Sequence, residues 1–399
     1  MRRDGSRIGD AQRQPPPAAV ARVVYYGPMD RRSLLKGMAL TSAGLCLPGC
    51  AAKKVTTATP PANQLHLPKV LVSPEREIRT TVCLRPFRPS GFRLATEKLG
   101  DKLCVHNYGH GGAGITLSWG TAHLAIEQLQ DTDAKQIAVL GCGVVGLATG
   151  RLLQQIGKDV TIYAKALPPE TTSNSAGGYW FPVTVFDHDR VTPEFNEQFL
   201  RAVKFSYNYF QQFAGDDYAV HWLSTYYLNS HPFNESSLIG RQGPLQGMLS
   251  DLHDLQPGEH RFQAPYVRTF KEMLIEPHTY MRALLRDFRI AGGKVVLREL
   301  HDPAEVAGLP ENVIVNCTGL GAKSLFSDAE MTPIQGQLTY LVPQPEVNYI
   351  VLSGELYMFP RHDGIVLGGT HVRGEWSLQP DPKAKADVLA GHAQLFSSL

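Results

Sequence analysis

Gln136-Ile137-Ala138-Val139-Leu140-Gly141-Cys142-Gly143-Val144-Val145-Gly146 is the stretch that decides the fold. Five residues of strand type run into a Gly-x-Gly-x-x-Gly turn. Residues 147–156 follow with helical periodicity, Gly157-Lys158 closes that helix, and Asp159-Val160-Thr161-Ile162-Tyr163 reads as a second strand. Strand, turn, helix and strand in this order are the context that the dinucleotide-binding fingerprint requires. Gly141 permits the tight turn, Gly143 lets the backbone approach a pyrophosphate, and Gly146 lets helix and strand pack closely. The helix start at Val144 and Val145 offers unpaired N–H groups and a partial positive charge to phosphates. The motif serves NAD, NADP or FAD alike. An acid at the end of the second strand would grip a ribose. Ala164-Lys165 stand there instead, which counts against an ordinary NAD dehydrogenase. Lys165 reads as a solvated surface lysine or as a residue that tolerates a 2′-phosphate.

Three other segments join this unit. Thr171-Thr172-Ser173-Asn174-Ser175-Ala176-Gly177-Gly178-Tyr179-Trp180-Phe181-Pro182 offers hydroxyls and N–H groups to phosphate oxygens, with glycines for close approach. Asn312-Val313-Ile314-Val315-Asn316-Cys317-Thr318-Gly319 is a buried-type strand ending in a Thr-Gly turn. His106-Asn107-Tyr108-Gly109-His110-Gly111-Gly112-Ala113-Gly114-Ile115-Thr116-Leu117-Ser118-Trp119-Gly120 carries four glycines within six residues. Such a backbone presses against something flat or anionic, and a helix is expected after it, from Thr121 to Gln130. Together these segments resemble the D-amino-acid oxidase family of FAD-dependent oxidoreductases.

The resemblance implies FAD as cofactor. Thr171, Thr172, Ser173, Gly177, Gly178 and Tyr179 would wrap its ribityl and pyrophosphate region, with Thr318 and Gly319 touching it and Leu300, Ala164 and Lys165 beside it. Gly111, Gly112, Ala113, Gly114, Ile115 and Thr116 would face the flavin ring, where a helix N-terminus stabilises negative charge. His110 reads as a base, as a covalent flavin link, or as a residue that orders the loop by hydrogen bonds. Cys317 reads as a buried filler. In Leu84-Arg85-Pro86, Arg85 matches the family arginine that pairs with the substrate carboxylate, with Arg88 as the nearest decoy. Tyr357 matches the tyrosine that supports the same carboxylate, and the backbone carbonyl of Gly112 matches an acceptor for the substrate amine. A second family tyrosine is replaced by Ser353, for which Tyr349 is the candidate substitute. The implied reaction moves hydride from Cα to the flavin and releases an imine that hydrolyses to a keto acid, with oxygen reduced to peroxide. A flavin dehydrogenase of another amine or imino acid, and an exported flavoprotein without turnover, are the alternatives.

The order of segments differs from the family's. The glycine-rich segment and Arg79-Thr80-Thr81-Val82-Cys83-Leu84-Arg85-Pro86-Phe87-Arg88-Pro89 belong to the family's C-terminal part, yet they precede the Gly-x-Gly-x-x-Gly turn. Circular permutation is the simplest account, with Asp131-Thr132-Asp133 as the joining loop. The expected fold class is α/β, α+β overall. A Rossmann-type FAD-binding domain is assembled from discontinuous segments beside a mixed antiparallel-sheet substrate domain. Residues 76–132 form the permuted segment, 133–190 the FAD-binding βαβ core, and 281–325 the return to that domain. Residues 191–280 and 326–375 form the substrate domain, and 376–399 a return helix. Within these, a helix is expected over 193–214, strands near 218–228 and 262–270, a helix over 276–291, and two strands over 349–372 turning at Asp363-Gly364.

The N-terminus reads differently. Residues 1–28 are rich in Arg, Gln and Pro and cannot bury enough surface to order themselves; Met29 is the candidate true start. Over 29–50, Arg31-Arg32-Ser33-Leu34-Leu35-Lys36 and an apolar run too short to span a bilayer resemble a twin-arginine export signal. Leu47-Pro48-Gly49-Cys50 resembles a lipoprotein box, which would place the protein in the periplasm or cell envelope, anchored at Cys50. Residues 51–75 are expected to be a tether.

Lys and Arg total 39 against 37 Asp and Glu, a balance that leaves no electrostatic footprint for nucleic acid. The six cysteines include no C-x-x-C pair, so they give no support for a zinc site or a disulfide framework. His221, His231 and His278 receive no role. The expected partners are a small amino acid and molecular oxygen; a homo-oligomer is compatible with the sequence.

Overall fold

The computed structural model describes residues 64–399. The expected export signal, the lipoprotein box and the first part of the tether lie outside these residues. In chain order the strands are β1 (Glu77–Phe87), β2 (Arg93–Leu99), β3 (Lys102–Tyr108), β4 (Gln136–Leu140), β5 (Asp159–Ala164), β6 (Val220–Asn229), β7 (Ser250–Leu255) and β8 (Tyr266–Ile275). They continue as β9 (Lys294–Leu297), β10 (Val313–Asn316), β11 (Thr332–Leu341), β12 (Tyr349–Ser353), β13 (Leu356–Arg361), β14 (Gly364–Gly368) and β15 (Val372–Arg373). The longer helices are α1 (Gly114–Glu127), α2 (Val144–Gln155), α3 (Pro193–Phe210), α4 (Pro277–Ile290) and α5 (Pro382–Leu395).

Among the described residues the strands form two sheets, giving the mixed α/β architecture. The smaller sheet runs β2-β3-β10-β4-β5-β9. Its inner strands are parallel, with Val139 opposite Val315 on one side and Ile162 on the other. Strands buried on both faces need continuous apolar runs, and the Ile137–Leu140 and Val313–Asn316 stretches are wholly buried. The larger sheet runs β1-β11-β14-β13-β12-β6-β8-β7, with β15 also beside β11. One of its faces packs Val267, Tyr349, Val351 and Met358 with Phe396 and Leu389 of the C-terminal region. The other packs Leu274, Ile350, Phe359 and Leu338 with Tyr179 and Tyr357. Residues 233–247 fall in a separate short unit, a run of turns in which Glu235 accepts from the Arg241 backbone and guanidinium.

Several expectations are corrected. Residues 64–75, expected to belong to the tether, pack on the larger sheet: Val70 is buried with Leu65, Leu67 and Val72, and Tyr349 Oη donates to Pro68 O at 2.6 Å. Alternating apolar residues among Pro and Lys bury where a sheet face awaits them. The helix expected from Thr121 starts at Gly114. It is buried on nearly every side, so no periodicity marked its start. A Cβ on Gly120 would stand 1.9 Å from Ala202 O, so this glycine admits α3 against α1. The two strands expected over 349–372 are three, because Gly354-Glu355 makes a second tight turn between Ser353 and Leu356, and a fourth, β15, begins at Val372. The return helix α5 packs on the larger sheet through Val388 and Leu389 and not on the nucleotide side. The 76–132 segment, expected to contribute to both flavin and substrate contacts, needs no such change: β1 joins the larger sheet while β2 and β3 join the smaller.

Candidate active site

Gly141 follows β4 at φ 97°, and a Cβ there would lie 2.6 Å from Cys317 O. A Cβ on Gly146 would lie 2.0 Å from Gly141 O, so the first turn of α2 is pressed onto its own entry loop. Gly143 is the extended N-cap of α2, contributes no side chain, and no acid stands in the first turn, where Val144 and Val145 are buried. The turn is stitched to its neighbours by Gly141 N–H to Tyr163 O and Cys317 N–H to Leu140 O.

The 171–178 loop closes on this turn. Ser173 Oγ accepts the Val144 N–H at 3.0 Å, and Thr171 Oγ1 donates to Asn174 Oδ1 at 2.8 Å. Thr172 opens the short 3₁₀ turn between them. Asn174 is buried, yet its Nδ2 has no partner among the described residues. A buried unmet donor in such a loop asks for a ligand or water; Asn174 was quoted from the sequence but given no role. On the far side, Thr318 N–H and Oγ1 both donate to Asn316 Oδ1, and a Cβ on Gly319, which holds φ 57°, would lie 3.7 Å from Pro86 of β1. Two helix starts free of acids, whose N-cap residues Ala113 and Gly143 cap with no side chain (α1 and α2), an unmet buried amide, and open space at Gly114, where a Cβ would meet nothing within 4 Å, fit a dinucleotide with its phosphates and ring.

The other expected cofactor contacts have partners within the protein. Ala164 O accepts the Arg298 N–H, Leu300 packs at the edge of the small-sheet core, and Lys165 is exposed beside Glu299. A Cβ on Gly177 would meet the Phe359 ring, and one on Gly178 would meet Ile275 O, so both glycines face the larger sheet. Tyr179 does too: its ring stacks on Phe359 and its hydroxyl donates to Thr225 Oγ1. Gly111 and Gly112 press on protein, since Gly112 N–H donates to Thr184 O and a Gly111 Cβ would lie 1.9 Å from it. Thr184 itself holds φ 57°. Ala113 and Ile115 are buried, and the Thr116 hydroxyl is spent on the backbone of Phe181.

The structure brings Arg85 and Tyr357 together across four strands. Arg85 Nη2 donates to Tyr357 Oη and Nη1 to Thr370 O, both at 3.4 Å. Two glycines on the intervening strands make the face flat enough. A Cβ on Gly336 would lie 2.4 Å from Arg85 Nη1, and one on Gly368 would lie 2.0 Å from the Tyr357 ring. Arg85 makes no ion pair among the described residues. Arg88, the decoy, pairs with Asp328 at 3.0 Å and Glu330 at 2.7 Å. Burial pushes the Tyr357 phenol up, against the opposing pull of Arg85, so it stays protonated.

His371 was missed by sequence reasoning. It follows β14, its Nε2 lies 3.5 Å from Thr184 Oγ1, and burial followed by the Arg85 charge lowers its pKa to about 4. The run Gly368-Gly369-Thr370-His371 was the available signal. His110 orders the loop: its Nε2 meets Thr121 Oγ1 at 2.9 Å, its ring stacks on Phe92, and burial lowers its pKa to about 3. Tyr349 does not replace the missing tyrosine, because it lies on the opposite face of the sheet from Tyr357. Burial drives the Cys317 thiol up to about 12, which leaves it a packing residue.

The family described as FAD dependent oxidoreductase matches residues 136–399. A D-amino-acid oxidase of Rubrobacter xylanophilus is 30% identical over 268 residues, covering 63% of this chain and 74% of that protein. Human D-aspartate oxidase is 29% identical over 282 residues, covering 67% and 77%. Among solved structures, the L-alpha-glycerophosphate oxidase of Mycoplasma pneumoniae with FAD bound superposes with a TM-score of 0.50 at 17% identity, covering 67% of this chain and 80% of that one.

Proposed function

Because the chain belongs to the FAD-dependent oxidoreductase family and takes FAD as its cofactor, we propose that it oxidises the Cα–N bond of D-amino acids. The observation that carries this reading is Arg85, a half-buried cation with no ion-pair partner among the described residues and with Tyr357 at its side. A guanidinium binds a carboxylate through two parallel N–H bonds. Tyr357 accepts from Arg85 and keeps its own O–H to donate to the same carboxylate. The amine is directed to the Gly112 backbone. Bound FAD supplies the acceptor for the hydride that leaves Cα. With the amine bound neutral, no side chain has to take a proton, and the clamp carries the catalysis by positioning. The imine product hydrolyses to the keto acid, and molecular oxygen is the terminal acceptor. The relatives' names favour the D-isomer.

Anaerobic titration of the FAD-loaded protein with D- and L-amino acids tests this. Bleaching of the flavin by D-isomers, with kcat/KM lowered roughly 10- to 100-fold in Arg85→Ala, is expected from loss of a charged hydrogen-bonding partner worth about 1.5–3 kcal/mol. A yellow protein that no amino acid reduces would sink the reading.

The permuted order is part of the same proposal. The family match begins at Gln136, while β1 lies beside β11, β3 beside β10, and α1 against α2. Leu399 and Leu65 pack in one cluster, the proximity that permutation needs. A chain rearranged so that residues 64–132 follow Leu399 through a short linker should still fold and hold FAD. For residues 29–50 we propose twin-arginine export with an anchor at Cys50. Replacing Arg31 and Arg32 by lysine should then leave the protein in the cytoplasm.

A further inference from the structure

Three side chains outside the proposed reaction converge on the larger sheet. His221 lies on β6, Glu276 is the N-cap residue of α4, and His362 stands in the turn between β13 and β14. One donor atom from each lies within 4.8 Å of the others. His362 Nδ1 is 2.6 Å from Glu276 Oε1, which also accepts the His362 backbone N–H at 3.2 Å. The His221 and His362 rings stand 5.7 Å apart.

Two features of this cluster are unusual for a surface ion pair. Glu276 occupies an N-cap position, yet its side chain caps no N–H of its own helix; it is buried and turned toward the two imidazoles. His221 Nε2 is shielded from water and has no partner among the described residues. A buried nitrogen left unpaired is costly. A buried carboxylate needs a cation.

We propose that His221, Glu276 and His362 form a binding site for a divalent cation of the zinc type. Two imidazoles and one carboxylate are the donor set that zinc accepts at about 2.0–2.2 Å, with a water in the fourth position. Two nitrogen donors disfavour calcium and magnesium, which take oxygen. Donors on one tetrahedral zinc stand roughly 3.3 Å apart. The exposed His362 side chain supplies the needed movement, and the ion takes the place of the proton it shares with Glu276. The nearby cations are occupied, since Arg361 and Arg79 both pair with Asp363. The bound ion clasps β6, the start of α4 and the turn that ends β13, the strand of Tyr357. Cysteine spacing, the signal read in the sequence, says nothing of such a site, because its three ligands come from separated elements.

The test is calorimetric titration of Zn²⁺ into the tag-free, FAD-loaded full chain, beside the His362→Ala and Glu276→Gln variants. One ion per chain is expected, with affinity falling on the order of a hundredfold or more in His362→Ala. The Tm of the parent should rise saturably with Zn²⁺, and that of His362→Ala should not. Co²⁺ in the same site should give the visible bands of a four-coordinate ion. His362 is exposed and its variant keeps the fold, which the bound flavin reports. No binding, or binding of equal affinity in parent and His362→Ala, would overturn the proposal.

Discussion

The small sheet takes its Gly-x-Gly-x-x-Gly unit from one run, residues 136–164, in which strand, turn, helix and strand follow without interruption. The face of the larger sheet that carries Arg85 is made otherwise. Arg85 and Tyr357 are 272 residues apart in the chain and meet only because β11 and β14 lie between their strands. A local unit fails through local changes. An assembled face fails through changes on strands that carry no chemistry.

The largest expected effect comes from breaking the local unit. Gly146→Val sets a side chain against Gly141 O, 2.0 Å from where its Cβ must go, and backbone cannot yield there. Overpacking of this kind costs about 1–3 kcal/mol, and a clash with backbone falls at the upper end. The variant should lose FAD on desalting, read as loss of flavin absorbance.

Gly336→Ala sharpens the contrast. Its methyl would displace the Arg85 guanidinium, the far end of a flexible side chain, and leave the nucleotide unit untouched. Flavin content should stay at parent level while kcat/KM falls about tenfold, mostly through KM, as expected for a weakened clamp. Loss of flavin as well would mean that the two regions are coupled.

A pH comparison follows from His110, which orders the glycine segment between the regions. Burial lowers its pKa from 6.5 to about 3, so the folded chain holds it neutral while the unfolded chain takes up a proton below pH 6.5. Stability from this group is complete above pH 6.5 and is lost as the pH falls toward 3. His110→Gln should lose less Tm than the parent over that interval.

The smallest effect belongs to Lys165. Its contact with Glu299 is exposed at both ends, and such pairs contribute at most about 1 kcal/mol. Lys165→Ala should leave FAD affinity within about twofold; a larger loss, measured by flavin titration of the apoprotein, would restore it to the cofactor site.

The positions of these residues decide how readily each was read. The Gly-x-Gly-x-x-Gly turn was legible because all its requirements are sequential. Thr318-Gly319 and the 171–178 loop were legible as segments, but Asn174 was not, since only packing shows that its amide is buried and unmet. Gly336 and Gly368 were invisible, because a glycine within a strand gains meaning from the side chain that crosses it. The His221–Glu276–His362 cluster was invisible because its members come from separated elements, while His371 stood beside a Gly-Gly-Thr signal that was not used. Tyr349 was misread because residues eight apart across a tight hairpin can fall on opposite faces of the sheet.

By itself the sequence determined the dinucleotide unit, the family resemblance and the residue types of the proposed carboxylate clamp, because each rests on neighbours in the chain or on a short motif. Tertiary structure alone decided which arginine is free to bind an anion, which glycines let it lie beside Tyr357, and which histidines meet a buried carboxylate. Those are properties of contact between strands and helices, and separation along the chain does not encode contact across a sheet.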